Sequence, residues 1–346
     1  MRRISWGIAL WVLCSAGAAL ACGWYSGTVE DELDNNADLF ELISGQVPHH
    51  GELYWTAVLA RARSALESRA DDRKAKNDEA YALIQLGRFD EAETRLRSLE
   101  SDGAYETLSN LGVLLKKTGR FEESAAFLQK ALKLNPQGHL GLGDFYLMRV
   151  RFSELATERS PEKNFLNRPY EFAVDREMKA LAVHDWAGEP LGNSEFKRLA
   201  SLLKADAGFA DAYLVLGDEL VHRGQLNLAL WRFVKAKALS HPRQDMLDAR
   251  IALIIEHWRE AASLRMSKRR NLRVEEPAQA TEKIMNELRS MEARWRKVFG
   301  DTESALVAKG ELPSFSTTSS ALKTAKIATL RPKPVGLLGQ PSRRSH

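Results

Sequence analysis

Two stretches of the chain set apolar, small and glycine residues in the same order at the same spacing. They are residues 105–136 (YETLSNLGVLLKKTGRFEESAAFLQKALKLNP) and residues 210–242 (ADAYLVLGDELVHRGQLNLALWRFVKAKALSHP). Each has an apolar-Gly step, Leu111-Gly112 or Leu216-Gly217, and a second glycine, Gly119 or Gly224. Phe121 or Leu226 follows, then Ser124 or Ala229, Leu128 or Phe233, Ala131 or Ala236, and a closing Pro136 or Pro242. The three-and-four spacing predicts two amphipathic helices per unit, A and B, with the second glycine ending helix A. Residues 73–104 form a third unit through Tyr81, Leu83, Gly87, Phe89, Ala92, Leu96 and Leu99, with Ala80 in place of the mid-helix glycine.

Weaker helical patterns flank these units. Residues 52–68 place Trp55, Val58, Leu59 and Leu66 on a predicted helix. Leu142-Gly143 with Tyr146 and Phe152 resembles another helix A, and residues 195–205 the end of a helix B. Residues 245–264 form a long apolar helix containing Met246, Ile251, Ile254, Ile255 and Trp258. Pro277 opens a helix expected to run to about Phe299 and stop at Gly300. Its stripe is Ile284, Leu288, Met291, Trp295 and Val298, and the expected role is to cap the array. Residues 160–194 are rich in turn signals and read as an irregular insertion, with a helix over 172–183.

The repeated residues have mechanical reasons. Gly112 and Gly217 lie mid-helix, where glycine costs about 1 kcal/mol relative to alanine. A helix accepts that cost where its neighbour must come close, and Ser124 and Ala229 are the expected small facing residues. Gly119 and Gly224 allow the left-handed backbone that ends a helix.

This pattern resembles the tetratricopeptide repeat. Over residues 50–260 the chain also resembles a group of exported bacterial proteins built from that repeat, through Tyr-Glu-Thr-Leu-Ser-Asn-Leu-Gly, Asn135-Pro136-Gln137-Gly138-His139 and Gly-Gln-Leu-Asn-Leu-Ala. The resemblance implies an all-α solenoid whose A helices line a concave, peptide-binding groove. The A-helix positions not assigned to packing are Asn110, Val113 and Lys117 in one repeat and Leu214, Asp218 and His222 in another. Asn110 matches an asparagine of repeats that clamp a C-terminal carboxylate. Asn77, Tyr81, Gln137 and Gly141 stand where the remaining clamp residues would be, so that clamp is not expected.

Composition narrows the setting. The chain is 44% apolar and 28% charged, enough apolar material for a sizeable core. Residues 1–21 carry +2, residues 22–312 carry −4, and the acid-free tail 313–346 carries +6. A mildly acidic body with a basic tail is no nucleic-acid-binding profile, so that partner is not expected. Residues 1–21 read as a secretory signal: Arg2-Arg3, the apolar run 4–13, and an A-x-A site at Ala19-Leu20-Ala21. Cleavage there leaves Cys22 as the sole cysteine of the mature chain. The segment 18–22 resembles a permissive bacterial lipobox, with Ala19 where leucine is usual, so Cys22 is a candidate for lipidation and a membrane anchor. The expected division is signal peptide 1–21, linker and short helix 22–50, N-terminal repeats 51–159, insertion 160–194, C-terminal repeats 195–265, amphipathic helix 266–312 and disordered basic tail 313–346.

Candidate chemistry is thin. No phosphate loop, nucleophile elbow, Cys-pair zinc motif or HExxH pattern is present in the sequence. His49-His50 with Glu52 is the nearest approach to a ligand cluster and reads as a solvated turn. His184-Asp185 reads as a polar turn, Trp231 and Phe233 as core, and Trp24-Tyr25 as linker. The sequence therefore points to a non-catalytic, cofactor-free scaffold of the cell envelope that binds an unidentified protein or peptide. Two alternatives stand beside it. One is a cell-wall or carbohydrate-associated protein, hydrolytic through the insertion. The other is an assembly protein that oligomerises through the 277–299 helix.

Overall fold

The computed structural model describes residues 50–158, 161–170, 190–266 and 276–312. The signal segment, the linker with Cys22, the expected helix over 172–183 and the basic tail lie outside the described residues. Among the described residues all regular structure is helical: α1 (Glu52–Ser68), α2 (Arg73–Gln85), α3 (Phe89–Arg97), α4 (Tyr105–Lys117), α5 (Phe121–Leu134), the one-turn α6 (Gly138–Gly141), α7 (Gly143–Glu158), α8 (Asn193–Ala205), α9 (Ala210–His222), α10 (Leu226–Ala238), α11 (Gln244–Met266) and α12 (Pro277–Val307). None of these is long and apolar enough to cross a membrane.

Three helix pairs, α2–α3, α4–α5 and α9–α10, follow the repeated pattern. Their turns are built alike. Gly87, Gly119 and Gly224 have φ of +74°, +79° and +68°. In each, the next residue's N–H returns to a carbonyl in the last turn of helix A: Arg88 to Leu83 at 2.9 Å, Arg120 to Leu115 at 2.8 Å and Gln225 to Leu220 at 2.8 Å. That bond satisfies carbonyls the helix end would otherwise leave open and aims the chain back along its partner.

The mid-helix glycines are notches. A Cβ on Gly112 would lie 2.6 Å from Leu128 Cγ, and one on Gly217 would lie 2.4 Å from Phe233 Cε1. The expectation of close approach holds, but the residue filling the notch is large. Ser124 contributes in a different way, since its buried hydroxyl donates to the Gly112 carbonyl at 2.6 Å. The α4–α5 and α9–α10 pairs are thus each locked at one point by a large side chain seated on bare backbone, while α2–α3 carries Ala80 there.

The pairs stack through α2 on α4 and α5 on α7, and α10 packs on α11. On the outside, the Gly-Arg-Phe turns repeat an ion pair. Arg88 grips Glu91 and Arg120 grips Glu123, and Arg120 also reaches Glu93 of the preceding pair at 2.8 Å. Such exposed pairs are worth about 0–1 kcal/mol each, so they tune the stack and do not make it.

The last helix departs from expectation. It continues through Gly300 to Val307, and the stop is Gly310, with φ +80° and a Glu311 N–H to Leu306 bond of 3.2 Å. Thr302 donates to the Val298 carbonyl and Lys297 pairs with Asp301 across the glycine, holding the helical turn there. The helix covers α10 and α11 as an end cap should, and then reaches α1.

Two substitutions of opposite sign test this packing. Gly217→Leu overfills the Phe233 contact and should destabilise the chain by roughly 1–3 kcal/mol. Gly300→Ala enters open space within a helix and should stabilise it by up to about 1 kcal/mol. Urea titrations of the two variants beside the parent measure both, and an unshifted Gly217→Leu transition contradicts the notch.

Candidate functional site

The six expected groove residues are not a groove. Asn110, Val113, Leu214 and Asp218 are buried, Lys117 is exposed, and His222 is half-buried in the last turn of α9. The reason lies in the whole helices. Residues 107–115 of α4 and 211–221 of α9 are buried without a break, so both helices are enclosed on every side. A helix lining an open groove would keep one polar face in water.

Each buried polar position has an internal partner. Asn110 donates to Asn77 Oδ1 at 3.3 Å, and Asn77 donates to Thr107 Oγ1 at 3.2 Å and to the Arg73 carbonyl at 3.1 Å. This knot ties α2 to α4 and engages Asn110, the one residue that matches a carboxylate clamp. Asp218 receives a two-pronged grip from the fully buried Arg250, at 2.7 and 3.0 Å.

What the structure brings together instead is the fastening of the irregular segment. Asp211 accepts the Phe165 N–H at 2.6 Å, the Tyr170 hydroxyl, and His241 Nε2 at 2.8 Å. The Arg243 N–H donates to His241 Nδ1 at 3.0 Å, which leaves Nε2 as the proton-bearing nitrogen. Arg250 also donates to the Tyr170 carbonyl at 3.1 Å. Two turns further along α9, Glu219 accepts the Leu191 N–H at 2.8 Å. So both described edges of the 160–194 segment are fastened to acids of one helix. Burial pushes the Tyr170 hydroxyl well above its ordinary range, with the Asp211 charge adding to it. Burial also raises Glu219, against the opposing pull of the Leu191 N–H and Arg168.

These acids do not make a hydrolytic pair, because their oxygens are turned to backbone and side-chain donors inside the protein. The sequence did carry a signal: Asp211 and Asp218 stand seven apart on one face of a mostly apolar helix. His184-Asp185 lies outside the described residues.

A second knot spans the array. Asp206, at the end of α8, accepts from Lys116 of α4 at 2.7 Å and from Arg149 of α7 at 2.6 Å. Burial alone would raise its carboxyl, but the two cations overrule it and hold it at about 2.

His50 also departs from expectation. Its side chain is largely buried, stacked on Tyr54 at 3.8 Å, and its Nδ1 meets the carboxylate of Glu303. The solvated-turn reading of His49-His50-Glu52 therefore fails at His50.

Two surface features remain. A shallow cleft of about 480 Å³ between α1, α2 and α3 has buried Glu79 at its floor. Arg63 at 3.0 Å and Arg95 at 2.7 Å already neutralise that carboxylate. Exposed Met148 and Leu155 stand seven apart on α7. Among the described residues no three His, Cys, Asp or Glu side chains group to hold a metal ion.

The tetratricopeptide repeat family model matches residues 105–137, the unit formed by α4 and α5. No curated protein matches the chain.

Two measurements test the fastenings. The Asp206 carboxyl sits at about 2, below its ordinary 3.8, so the unfolded chain takes up that proton first as pH falls. Stability from this group is whole above about pH 4 and should drain away towards pH 2. Asp206→Asn should remove that part of the acid dependence in denaturation curves taken across this window. Tyr170→Phe should cost about 1–3 kcal/mol by leaving Asp211 short of a donor. It should also speed proteolytic cutting between residues 160 and 192, and cutting at the parent rate would show that the Asp211 clasp does not hold the segment.

Proposed function

We propose that this tetratricopeptide-repeat chain is a non-catalytic protein-interaction scaffold of the bacterial cell envelope, exported by its leader and tethered to the membrane through Cys22. The observation that carries the reading is the commitment of its buried charges. Asp206, Asp211, Asp218 and Arg250 join helices and fasten a loop, and tetratricopeptide repeats generally serve to hold proteins together. The export signal and the lipobox-like segment at 18–22 support the compartment. The partner is a protein or peptide, with no cofactor and no nucleic acid involved.

The partner surface differs from the expected groove. The enclosed stretches 107–115 of α4 and 211–221 of α9 cannot offer side chains to a ligand without unfolding. Met148 and Leu155 give a partner an apolar foothold on the exposed side of α7.

Two experiments test this reading. Intact mass of the protein from membrane fractions should show an acylated Cys22, and an unmodified Cys22 in the soluble fraction would end the tether. A photo-crosslinking side chain placed at Met148 or Leu155 in cells should capture a discrete partner, while one at exposed Lys117 should not. Capture from Lys117 alone would move the partner surface elsewhere.

A further inference from the structure

α12 has a divided attachment. Its first half places Ala280, Ile284, Leu288 and Met291 in the main core. Its second half rests on a separate small cluster, Phe299 with Trp295 and Val298, and meets the main core again through half-buried Val307. Two acids bracket that second half. Glu292 receives Lys235 Nζ of α10 at 2.9 Å, and the Lys235 side chain is only 7% exposed. Burial acts to raise the Glu292 carboxyl, yet Lys235 and Arg296 together outweigh it and the group is held below the ordinary range. Glu303 is 2% exposed. It accepts the Gly51 N–H at 2.7 Å with one oxygen and meets His50 with the other.

Gly51 is the N-cap residue of α1, and that helix has no capping side chain of its own. Glu303 therefore supplies, from 252 positions away, the carboxylate that a helix N-terminus attracts through its unpaired N–H groups and its dipole. Glu292 and Glu303 stand eleven residues apart, about 16 Å along the helix. Between them lie Trp295 and Phe299, with Phe299 against the His50 ring.

We propose that the face formed by α1, α10 and α11 is a helix-binding surface, that α12 is its resident ligand, and that a partner takes its place by presenting an acidic amphipathic helix. The inference rests on the reading of the chain as a protein-binding scaffold and names the chemistry of one ligand. When α12 leaves, the face is apolar where Ala280, Ile284, Leu288 and Met291 had packed, with the cation of Lys235 at its middle and a bare helix N-terminus beside His50 at its far end. An apolar helix without acids would cover Lys235 and strand its charge, and burying an unpaired charge is strongly unfavourable. A segment that replaces α12 must therefore carry an apolar stripe at three-and-four spacing and two carboxylates eleven residues apart. Release starts at the second half of α12, whose apolar contacts are the small Phe299 cluster and half-buried Val307 and whose opening is correspondingly cheaper than global unfolding.

The test uses the full chain and a synthetic peptide of residues 277–307. In hydrogen exchange followed by mass spectrometry, amides of 292–307 should exchange at least tenfold faster than those of 226–238. The full-length Glu292→Gln/Glu303→Gln chain weakens the resident helix. It should bind the fluorescent wild-type peptide at least tenfold more tightly than the parent chain does. The same peptide carrying both Gln replacements should bind that variant at least tenfold more weakly than the wild-type peptide. Equal exchange in the two regions would show that α12 leaves only on global unfolding and would overturn the proposal. So would equal binding of the two peptides, or binding of neither to the variant chain. These readouts need no cellular partner, so an empty crosslinking experiment and a failed peptide experiment refute different statements.

Discussion

The seating of a large side chain on bare backbone is the contact from which the rest of the architecture follows. Leu128 over Gly112 and Phe233 over Gly217 fix how near, and at what height, each B helix lies against its A helix. Once that is fixed, the connecting turn has little freedom. It must reverse the chain within a few residues, which is why Gly87, Gly119 and Gly224 all take the left-handed conformation. Pairs made to one gauge can then stack, and stacking encloses residues 107–115 of α4 and 211–221 of α9. The burial of polar Asn77, Thr107 and Asn110 is a consequence of that tightness. They remain in the interior because they satisfy one another across α2 and α4.

Where the regular stack is interrupted, charge takes over from shape. The described edges of the 160–194 segment are held by point fastenings to α9: Asp211 at one edge, Glu219 at the other, and Arg250 bridging Asp218 to Tyr170. The same logic governs Asp206, which joins α4, α7 and the end of α8 through two cations. Buried carboxylates are unfavourable unless donors surround them, so each fixes the position of every group that satisfies it. This is a physical reason to read α9's acids as structural. A catalytic carboxylate needs an oxygen turned towards a substrate.

The sequence revealed what depends on local repetition. The boundaries of α4, α5, α9 and α10, the reversing glycines and the need for close approach at Gly112 and Gly217 all follow from spacing within a single unit. What it concealed depends on partners far away along the chain. Asn110 and Asp218 read as groove residues because their position within a helix is that of a groove residue. Only the packing of Asn77 and Arg250 against them shows otherwise. Gly300 read as a stop because glycine ends helices more often than it continues them, and nothing near it in sequence announces that Glu303 is to dock on α1. His50 read as solvated for the same reason: its partner is 253 residues distant.

That last contact changes what kind of repeat protein this is. In an open solenoid the first and last helices never meet, each unit touches only its neighbours, and stability accumulates along one dimension. Here α12 links the final pair to the N-terminus of α1, so the ends are coupled and strain at one is felt at the other. The first half of α12 is held by apolar side chains in the main core, and its second half by Glu292, Glu303 and the small Phe299 cluster between them. An interface of that kind discriminates as well as binds, because an incoming helix must match two charges at a fixed interval in addition to supplying an apolar face. Enclosing the A helices and closing the ends thus act together. They remove the broad groove in which many extended segments would fit, and leave a narrower site whose requirements are set by Lys235 and the first turn of α1.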